Sequence, residues 1–383
     1  MRKAFICPAK YVQGENELLN LGYFIKSYGK KALLIAHPSD VARVKKQLDA
    51  TATKFGVEFV PADFAGECSV NVIKKLQAVA KEQKCSCIVG LGGGKAIDTA
   101  KCVAKGESLI IVPTIAATDA PTSHSAVIYT DDGAFESYAF YKKNPDVVLV
   151  DTTVIAAAPV RFLVSGMGDA LATYFEARAC LQSFANVNAG IPCGAGGMGG
   201  EKPISPTAGA KSTKTAMGLA ELCFETLLED GKKAKFACEA GLVTPALENI
   251  IEANSLLSGL GFESGGLAAA HAIHNGLTVL DETHSKFHGE KVAFGTLCQL
   301  VLENASQDEI DLVLDFCIEV GLPVCLEDLG VKKIGDRLKV VAEKACAPGE
   351  TIYCMPFAIT PEAVAGAILT ADKLGRERQG LDN

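Results

Sequence analysis

The chain predicts an α/β first part built on a parallel sheet, followed by an all-α second part. Two observations carry this. Through about residue 150, short continuous apolar runs alternate with segments of helical period, as expected of strands buried on both faces. After about residue 160 strand patterning is nearly lost and helical periodicity takes over. The length of 383 residues also exceeds one simple core, so two domains are expected, 1–160 and 161–383.

The elements follow in order. KALLIA at 31–36 reads as a buried strand and Val41–Phe55 as a helix. VEFVPA at 57–62 is the next strand, and Val70–Gln83 a helix with apolar residues at helical spacing. CSCIVGL at 85–91 is a third strand, followed by Gly92, Gly93, Gly94, Lys95 and a helix over AIDTAKCVA. SLIIVP at 108–113 closes the series. Residues 126–150 read as two or three extended segments, with a turn at Asp131-Asp132-Gly133. Helices are expected over 161–186, 213–232, 234–253, 264–275, 290–304, 308–320 and 361–374. The Gly- and Pro-rich stretch over 187–209 reads as a loop inserted between two helices.

Composition narrows the function classes. A net charge of −8 argues against nucleic acid and anionic membranes as partners. No apolar run reaches transmembrane length, and the N-terminus lacks a sustained apolar stretch, so a cytoplasmic protein is expected. The 14 cysteines are scattered without a CxxC pair, which disfavours a zinc ribbon or a disulfide framework. They read as small buried apolar residues in a reducing compartment.

Three stretches could carry chemistry. The turn V-G-L-G-G-G-K at 89–95 follows a strand and opens a helix. Such a turn can place bare amides and the positive end of a helix dipole against a phosphate. It matches neither G-x-G-x-x-G nor a Walker motif, and a plain tight strand–helix turn explains it equally well. Next, VPTIAATDAPTSHSAVIY at 112–129 puts Thr114, Thr118, Asp119 and Ser123 just beyond a buried strand, where open α/β sheets bind ligands. A loop that satisfies its own backbone is the alternative. Finally, four of the six histidines fall between Phe262 and Glu290: His271, His274, His284 and His288. His271 and His274, three apart in an Ala-rich run, share a helical face. Two imidazoles converging with a carboxylate would make a zinc site with an open position. Asp169, after Gly-Met-Gly where a helix is read to start, could supply that carboxylate or simply cap a helix.

GLGGGKAIDTAK (90–101), PTIAATDAPTS (113–123), NPDVVLVDT (144–152), GMGDALATYFEARAC (166–180), LVTPALENIIEAN (242–254) and GFESGGLAAAHAIHNGLT with FHGEKVAFGTL (261–297) resemble the glycerol dehydrogenases of the iron-type (group III) alcohol dehydrogenase superfamily. The likeness runs in the same order along nearly the whole chain. It implies a dinucleotide-binding α/β domain and a helical, metal-binding domain of the dehydroquinate synthase-like type. It also implies zinc-dependent oxidation of glycerol or a related vicinal diol, with hydride passing to NAD. By position, Asp169, His271 and His288 match the zinc ligands. Gly92, Gly93, Gly94 and Lys95 match the pyrophosphate turn, and Thr114, Ala117, Ser123, Ser125 and Tyr129 the cofactor lining. Asp119 matches the residue that holds the polyol, and His274 a second histidine near the metal through which, or through water, the proton could leave. His284 is left as a surface residue. The family further implies a homo-oligomer, an octamer.

Three departures stand out. His37 follows the first strand where NAD-using relatives usually carry an acid for the adenosine ribose, which opens NADP use. His124 and Ser125 replace small or apolar residues beside the nicotinamide. The insertion near 187–205 is longer than the family's usual connection. Position 173, where iron-dependent relatives carry another histidine, is Thr173, which favours three-ligand zinc. Relatives acting on phosphorylated substrates, dehydroquinate synthase and glycerol-1-phosphate dehydrogenase, would need extra cations near the metal. Lys286 and Lys291 flank His288, but the Asp119 loop has none. A non-catalytic metal or nucleotide sensor would tolerate loss of the triad, which is intact here.

Overall fold

The computed structural model describes residues 2–64, 66–187 and 209–381, so the insertion over 188–208 lies outside the described residues. The chain divides into two compact units. One comprises residues 7–162 and 236–259, the other 1–6, 163–235 and 260–383.

The first unit is built on strands β1 (Tyr11–Gly14), β2 (Lys31–Ala36), β3 (Glu58–Asp63), β4 (Cys87–Gly92) and β5 (Leu109–Pro113). A hairpin follows, β6 (Ser125–Tyr129) with β7 (Phe135–Phe140), and then β8 (Val147–Asp151). The main sheet has the order β1-β8-β5-β4-β2-β3 and every pairing in it is parallel, while β6 and β7 pair antiparallel. Its helices are α1 (Leu21–Lys26), α2 (Pro38–Phe55), α3 (Val70–Glu82), α4 (Gly94–Ala104) and α5 (Thr152–Ala156). Buried Leu, Ile and Val on the central strands explain the continuous apolar runs. Leu34, Val89, Leu91, Ile110 and Val112 pack with Leu21 and Ile25 of α1 and Val44 and Leu48 of α2. Ile35 and Ile111, of opposite parity on their strands, are also fully buried.

The sheet order determines where a ligand can enter. From β2 the chain moves out to β3 on one side and returns to β4 on the other, so the connection order reverses between β2 and β4. That reversal is a topological switch point, and ligands lie beyond the carboxyl ends of the strands there. Registers Ala36↔Leu91 and Gly92↔Pro113 bring the ends of β2, β4 and β5 level.

In the second half the helices are α6 (Val160–Gln182), α7 (Lys214–Glu239), α8 (Pro245–Glu252), α9 (Ser258–Gly265), α10 (Ala269–Leu277), α11 (His288–Leu302), α12 (Gln307–Val320), α13 (Arg337–Ala345) and α14 (Pro361–Gln379). No helix among the described residues is long and apolar enough to cross a membrane.

The sequence reading omits β1, α1 and α13 and puts Asp169 at a helix start, although it lies inside α6; three further differences concern where elements begin and end or which unit they join. The single helix expected over 234–253 is two: α7 runs on to Glu239, Gly241 turns the chain at φ 66°, and α8 starts afresh. Thr244 accepts from the Leu247 amide and Pro245 occupies the first turn, a start signal the periodicity masked. Next, α10 begins at Ala269 rather than 264, because Gly266 at φ 106° separates it from α9. Lastly, residues 236–259 group with the sheet. Their bonds show why. Gln13 Nε2 donates to Glu248 O (3.0 Å), Asn254 Nδ2 to Ala116 O (3.0 Å), and Thr122 Oγ1 to Ser255 O (3.3 Å). Residues 253–257 form a π-helical turn, a widening often found at functional sites.

Candidate metal centre and cofactor turn

Two glycines bring the metal-ligand candidates together. Gly168 on α6 and Gly289 at the start of α11 lie backbone against backbone. A Cβ on Gly168 would fall 2.4 Å from Gly289 O, and one on Gly289 1.7 Å from Ser165 O. Asp169 follows the first glycine and His288 precedes the second, so this contact sets their separation. His288 Nε2 lies 3.0 Å from Asp169 Oδ1, and His271 Nε2, from α10, lies 3.3 Å from the same oxygen.

The second imidazole is aimed by a carboxylate. Glu176, fully buried on α6, accepts from the backbone amides of Ala268 (2.8 Å) and His271 (3.0 Å) through Oε1. Its Oε2 lies 2.6 Å from His271 Nδ1. Gln299 Oε1 accepts from the amides of Ala269 and Ala270, both at 3.0 Å. The opening amides of α10, which have no partner within the helix, are thereby satisfied by two side chains. Glu176 also holds the proton on Nδ1, so Nε2, which faces Asp169, is the nitrogen left for a metal.

The donor set fits a zinc ion. One carboxylate oxygen and two imidazole nitrogens lie within 4.8 Å of one another. Zinc bonds of about 2.0–2.1 Å in tetrahedral geometry require donor separations of about 3.3 Å, close to the two distances above. Thr173, four residues after Asp169, is buried and offers no fourth imidazole. Burial alone would raise the Asp169 pKa, but His288 and His271 beside it hold it well below the carboxylate range. At His271 burial disfavours the imidazolium, yet Glu176 and Asp169 outweigh it and raise the pKa well above the usual value. His274 behaves oppositely: burial, then the neighbouring His288, Lys291 and His271, push it well below the usual value. His274 does not face Asp169. Its Nε2 meets His288 Nδ1 at 3.0 Å and its Nδ1 meets Asn275 Oδ1 at 3.0 Å. His284 is exposed, with Nε2 3.0 Å from Thr278 O.

At the switch point, the glycine turn joins β4 to α4. Gly92 adopts φ 147°, and Gly93 is the N-cap with no side chain to cap the helix. A Cβ on Gly94 would meet nothing nearer than Thr118 Oγ1 at 4.0 Å, so this face is open to an anion. Lys95 Nζ pairs with Glu67. Thr114, buried at the end of β5, donates to Asp40 Oδ1 at 3.0 Å, and Arg43 lies 3.3 Å from the same oxygen. His37 caps α2 by accepting from the Ser39 amide. An acid is therefore present at this edge three positions after the one the sequence reading inspected. Beyond β5, Ser258 Oγ donates to Asp119 Oδ2 at 2.8 Å. Ala117 is half-buried on the same loop, and the Tyr129 amide donates to Cys68 O at 2.9 Å.

A buried cation ties down the loop that carries Ser123 and Ser125. Lys101, 2% exposed, reaches Ala120 O (2.6 Å), Ser125 O (2.7 Å), Ser123 Oγ (3.0 Å) and Asp98 Oδ1 (3.4 Å). Asp98 Oδ2 in turn accepts from the Val127 amide at 3.0 Å. Lys101→Met should strand the Asp98 carboxylate and cost about 3 kcal/mol or more, as breaking one side of a buried pair does. Urea denaturation followed by circular dichroism measures it, and a loss below 1 kcal/mol would show the pair to be dispensable.

Sequence reasoning missed Glu176, Gln299, Asp40, the Asp98–Lys101 pair and Ser258. Glu176 had a readable signal, since it lies seven residues beyond Asp169, two turns along one helix face.

The chain is similar to known proteins along nearly its whole length. The family model of iron-containing alcohol dehydrogenase matches residues 8–152. A glycerol dehydrogenase of Citrobacter freundii is 48% identical over 98% of this chain and 99% of its own length. A glycolaldehyde reductase of Halobacterium salinarum is 45% identical over 98% and 99%. Among solved structures, a probable glycerol dehydrogenase from Sinorhizobium meliloti superposes with a TM-score of 0.87 at 45% identity, over 98% of this chain and all of that one. With that identity across its whole length, the chain belongs to the iron-containing alcohol dehydrogenase family, within its glycerol dehydrogenase group.

Proposed function

We propose that this chain catalyses the reversible NAD-linked oxidation of glycerol, or a closely related vicinal diol, to the hydroxyketone at a zinc centre held by Asp169, His271 and His288. The observation that carries the reading is the convergence of Asp169 Oδ1 with the Nε2 atoms of His271 and His288, backed by buried Glu176.

Zinc held there supplies Lewis acidity toward the substrate hydroxyls, and NAD supplies the hydride acceptor. The chain's own residues bind and orient. The amides of Gly93, Gly94 and Lys95 take the pyrophosphate at the N-terminus of α4. Thr114, Ala117, Ser123, Ser125 and Tyr129 line the rest of the cofactor. Asp119, fixed by Ser258, accepts a hydrogen bond from the substrate hydroxyl that does not react, selecting polyols over simple alcohols. The balance is one hydride to the nicotinamide and one proton released per ketone formed. NAD is the hydride acceptor by the chain's likeness to glycerol dehydrogenases, while Asp40 at the switch point is paired with Arg43, so NADP use stays open to assay. The protein works in the cytoplasm as a homo-oligomer, an octamer, which light scattering tests.

A second reading runs the same site in reverse on a small hydroxyaldehyde, and the Halobacterium relative favours it. Absorbance at 340 nm with zinc-loaded protein separates the readings. The substrates are glycerol, 1,2-propanediol, ethanol and glycolaldehyde, with NAD(H) and NADP(H). The proposal expects the vicinal diols with NAD to give the highest kcat/KM in the oxidative direction. A larger value for glycolaldehyde reduction supports the second reading, and equal rates with ethanol remove the role given to Asp119.

A further inference from the structure

We propose that Glu350, acting through Asn275 and His274, fixes the tautomer of His288 that binds the metal, which makes Glu350 and Asn275 positioning residues for the zinc site. This rests on the metal-site reading above.

The argument follows hydrogen-bond polarity along three contacts. Asn275 Nδ2 lies 2.9 Å from Glu350 Oε2, and Lys344 lies 3.9 Å from the other carboxylate oxygen. An ionised carboxylate only accepts, so it holds the amide nitrogen of Asn275 toward itself. The amide oxygen then faces the other way, 3.0 Å from His274 Nδ1. An amide oxygen also only accepts, so His274 carries its proton on Nδ1 and presents a lone pair at Nε2. That lone pair lies 3.0 Å from His288 Nδ1, which must therefore carry the proton. With the Nδ1 proton held by His274, Nε2, the atom 3.0 Å from Asp169 Oδ1, is the nitrogen left to give up its proton to a metal set between the two. Each contact allows one direction only, so the carboxylate at the far end determines which nitrogen of the ligand is free to bind metal.

Reversal is the alternative state. If the Asn275 amide turns over, its NH₂ faces His274 Nδ1, His274 protonates on Nε2, and His288 must accept at Nδ1. Its proton then moves to Nε2 and blocks coordination. His274 is 9% exposed and the His288 side chain 37%, so the choice is held at the buried His274 rather than at His288. The two ligands are thus oriented by separate carboxylates: His271 directly by Glu176, His288 remotely by Glu350.

The test uses zinc affinity, measured by competition with a chromophoric chelator, together with thermal stability without metal. Glu350→Gln preserves shape but can present either end of its amide to Asn275, so polarity is lost. It should weaken zinc binding about 10- to 100-fold with little change in the melting temperature without metal. The double variant Asn275→Asp with Glu350→Gln restores one-way polarity, because the new carboxylate at 275 accepts from His274 Nδ1 and from the new amide at 350. It should return affinity to within a few-fold of wild type. Wild-type affinity in Glu350→Gln overturns the proposal, and so does equal weakening in the single and double variants. If the wild-type chain and His271→Ala bind zinc equally, the metal-site reading itself fails.

Discussion

His271→Ala is expected to abolish zinc binding and diol oxidation together. The substitution removes one of three donors and leaves Asp169 and His288, too few to hold a catalytic zinc at ordinary concentrations. It also takes from Glu176 the imidazole 2.6 Å from its Oε2, in a place with no solvent. The backbone amides of Ala268 and His271 still satisfy Oε1, so the fold should survive with a penalty of about 1–3 kcal/mol for the stranded acceptor. Turnover should fall about 1000-fold or more, since Lewis-acid stabilisation is worth several kcal/mol. Metal analysis of the purified variant, its unfolding curve and its rate with glycerol and NAD read the three effects separately. Full activity in a folded variant without zinc would remove the assignment.

The sheet was legible because strands buried on both faces leave continuous apolar runs that nothing else of that length explains. KALLIA at 31–36 matches β2, and SLIIVP differs from β5 by one residue. Strand β1 was not legible, being a four-residue edge strand in which no residue is fully buried. The break between α7 and α8 was hidden because apolar spacing continues across it, while the stop depends on Gly241 and the Thr244-Pro245 start. The site was legible only in halves. Spacing alone put His271 and His274 on one helical face and could not separate them. The structure separates them by their partners, Glu176 and Asp169 for one, His288 and Asn275 for the other. Asp169, about a hundred residues upstream, was one candidate carboxylate by its place after Gly-Met-Gly, and only family resemblance chose it over a plain cap, since no local pattern records a contact made by tertiary packing. Of the outer carboxylates, Glu176 shows only its seven-residue spacing from Asp169, and Glu350 shows no sequence signal. They are ordinary acids until the chain folds around them.

Gly289→Ala tests the packing that brings the ligands together. Its Cβ would sit 1.7 Å from Ser165 O and 2.8 Å from the Asp169 amide nitrogen. These are backbone atoms of α6, which has no free end to move aside, and Gly168 already meets Gly289 O from the other side. The methyl must therefore push α11 away from α6, and His288 travels with it. A shift of about 1 Å is enough to cost two orders of magnitude at a site that depends on geometry. The overpacking adds a stability loss of more than about 4 kcal/mol, in the range reserved for severe core damage. Gly366→Ala is the matched control. It lies exposed on α14 with nothing within 4 Å of the added methyl, so the same chemical change should be neutral or slightly stabilising there. The prediction is a large fall in melting temperature and at least about 100-fold weaker zinc binding for Gly289→Ala, with zinc binding unchanged and the melting temperature unchanged or slightly raised for Gly366→Ala. A Gly289→Ala protein with wild-type stability and zinc affinity would mean that the two helices do not meet glycine to glycine. The spacing of Asp169 and His288 would then need another cause.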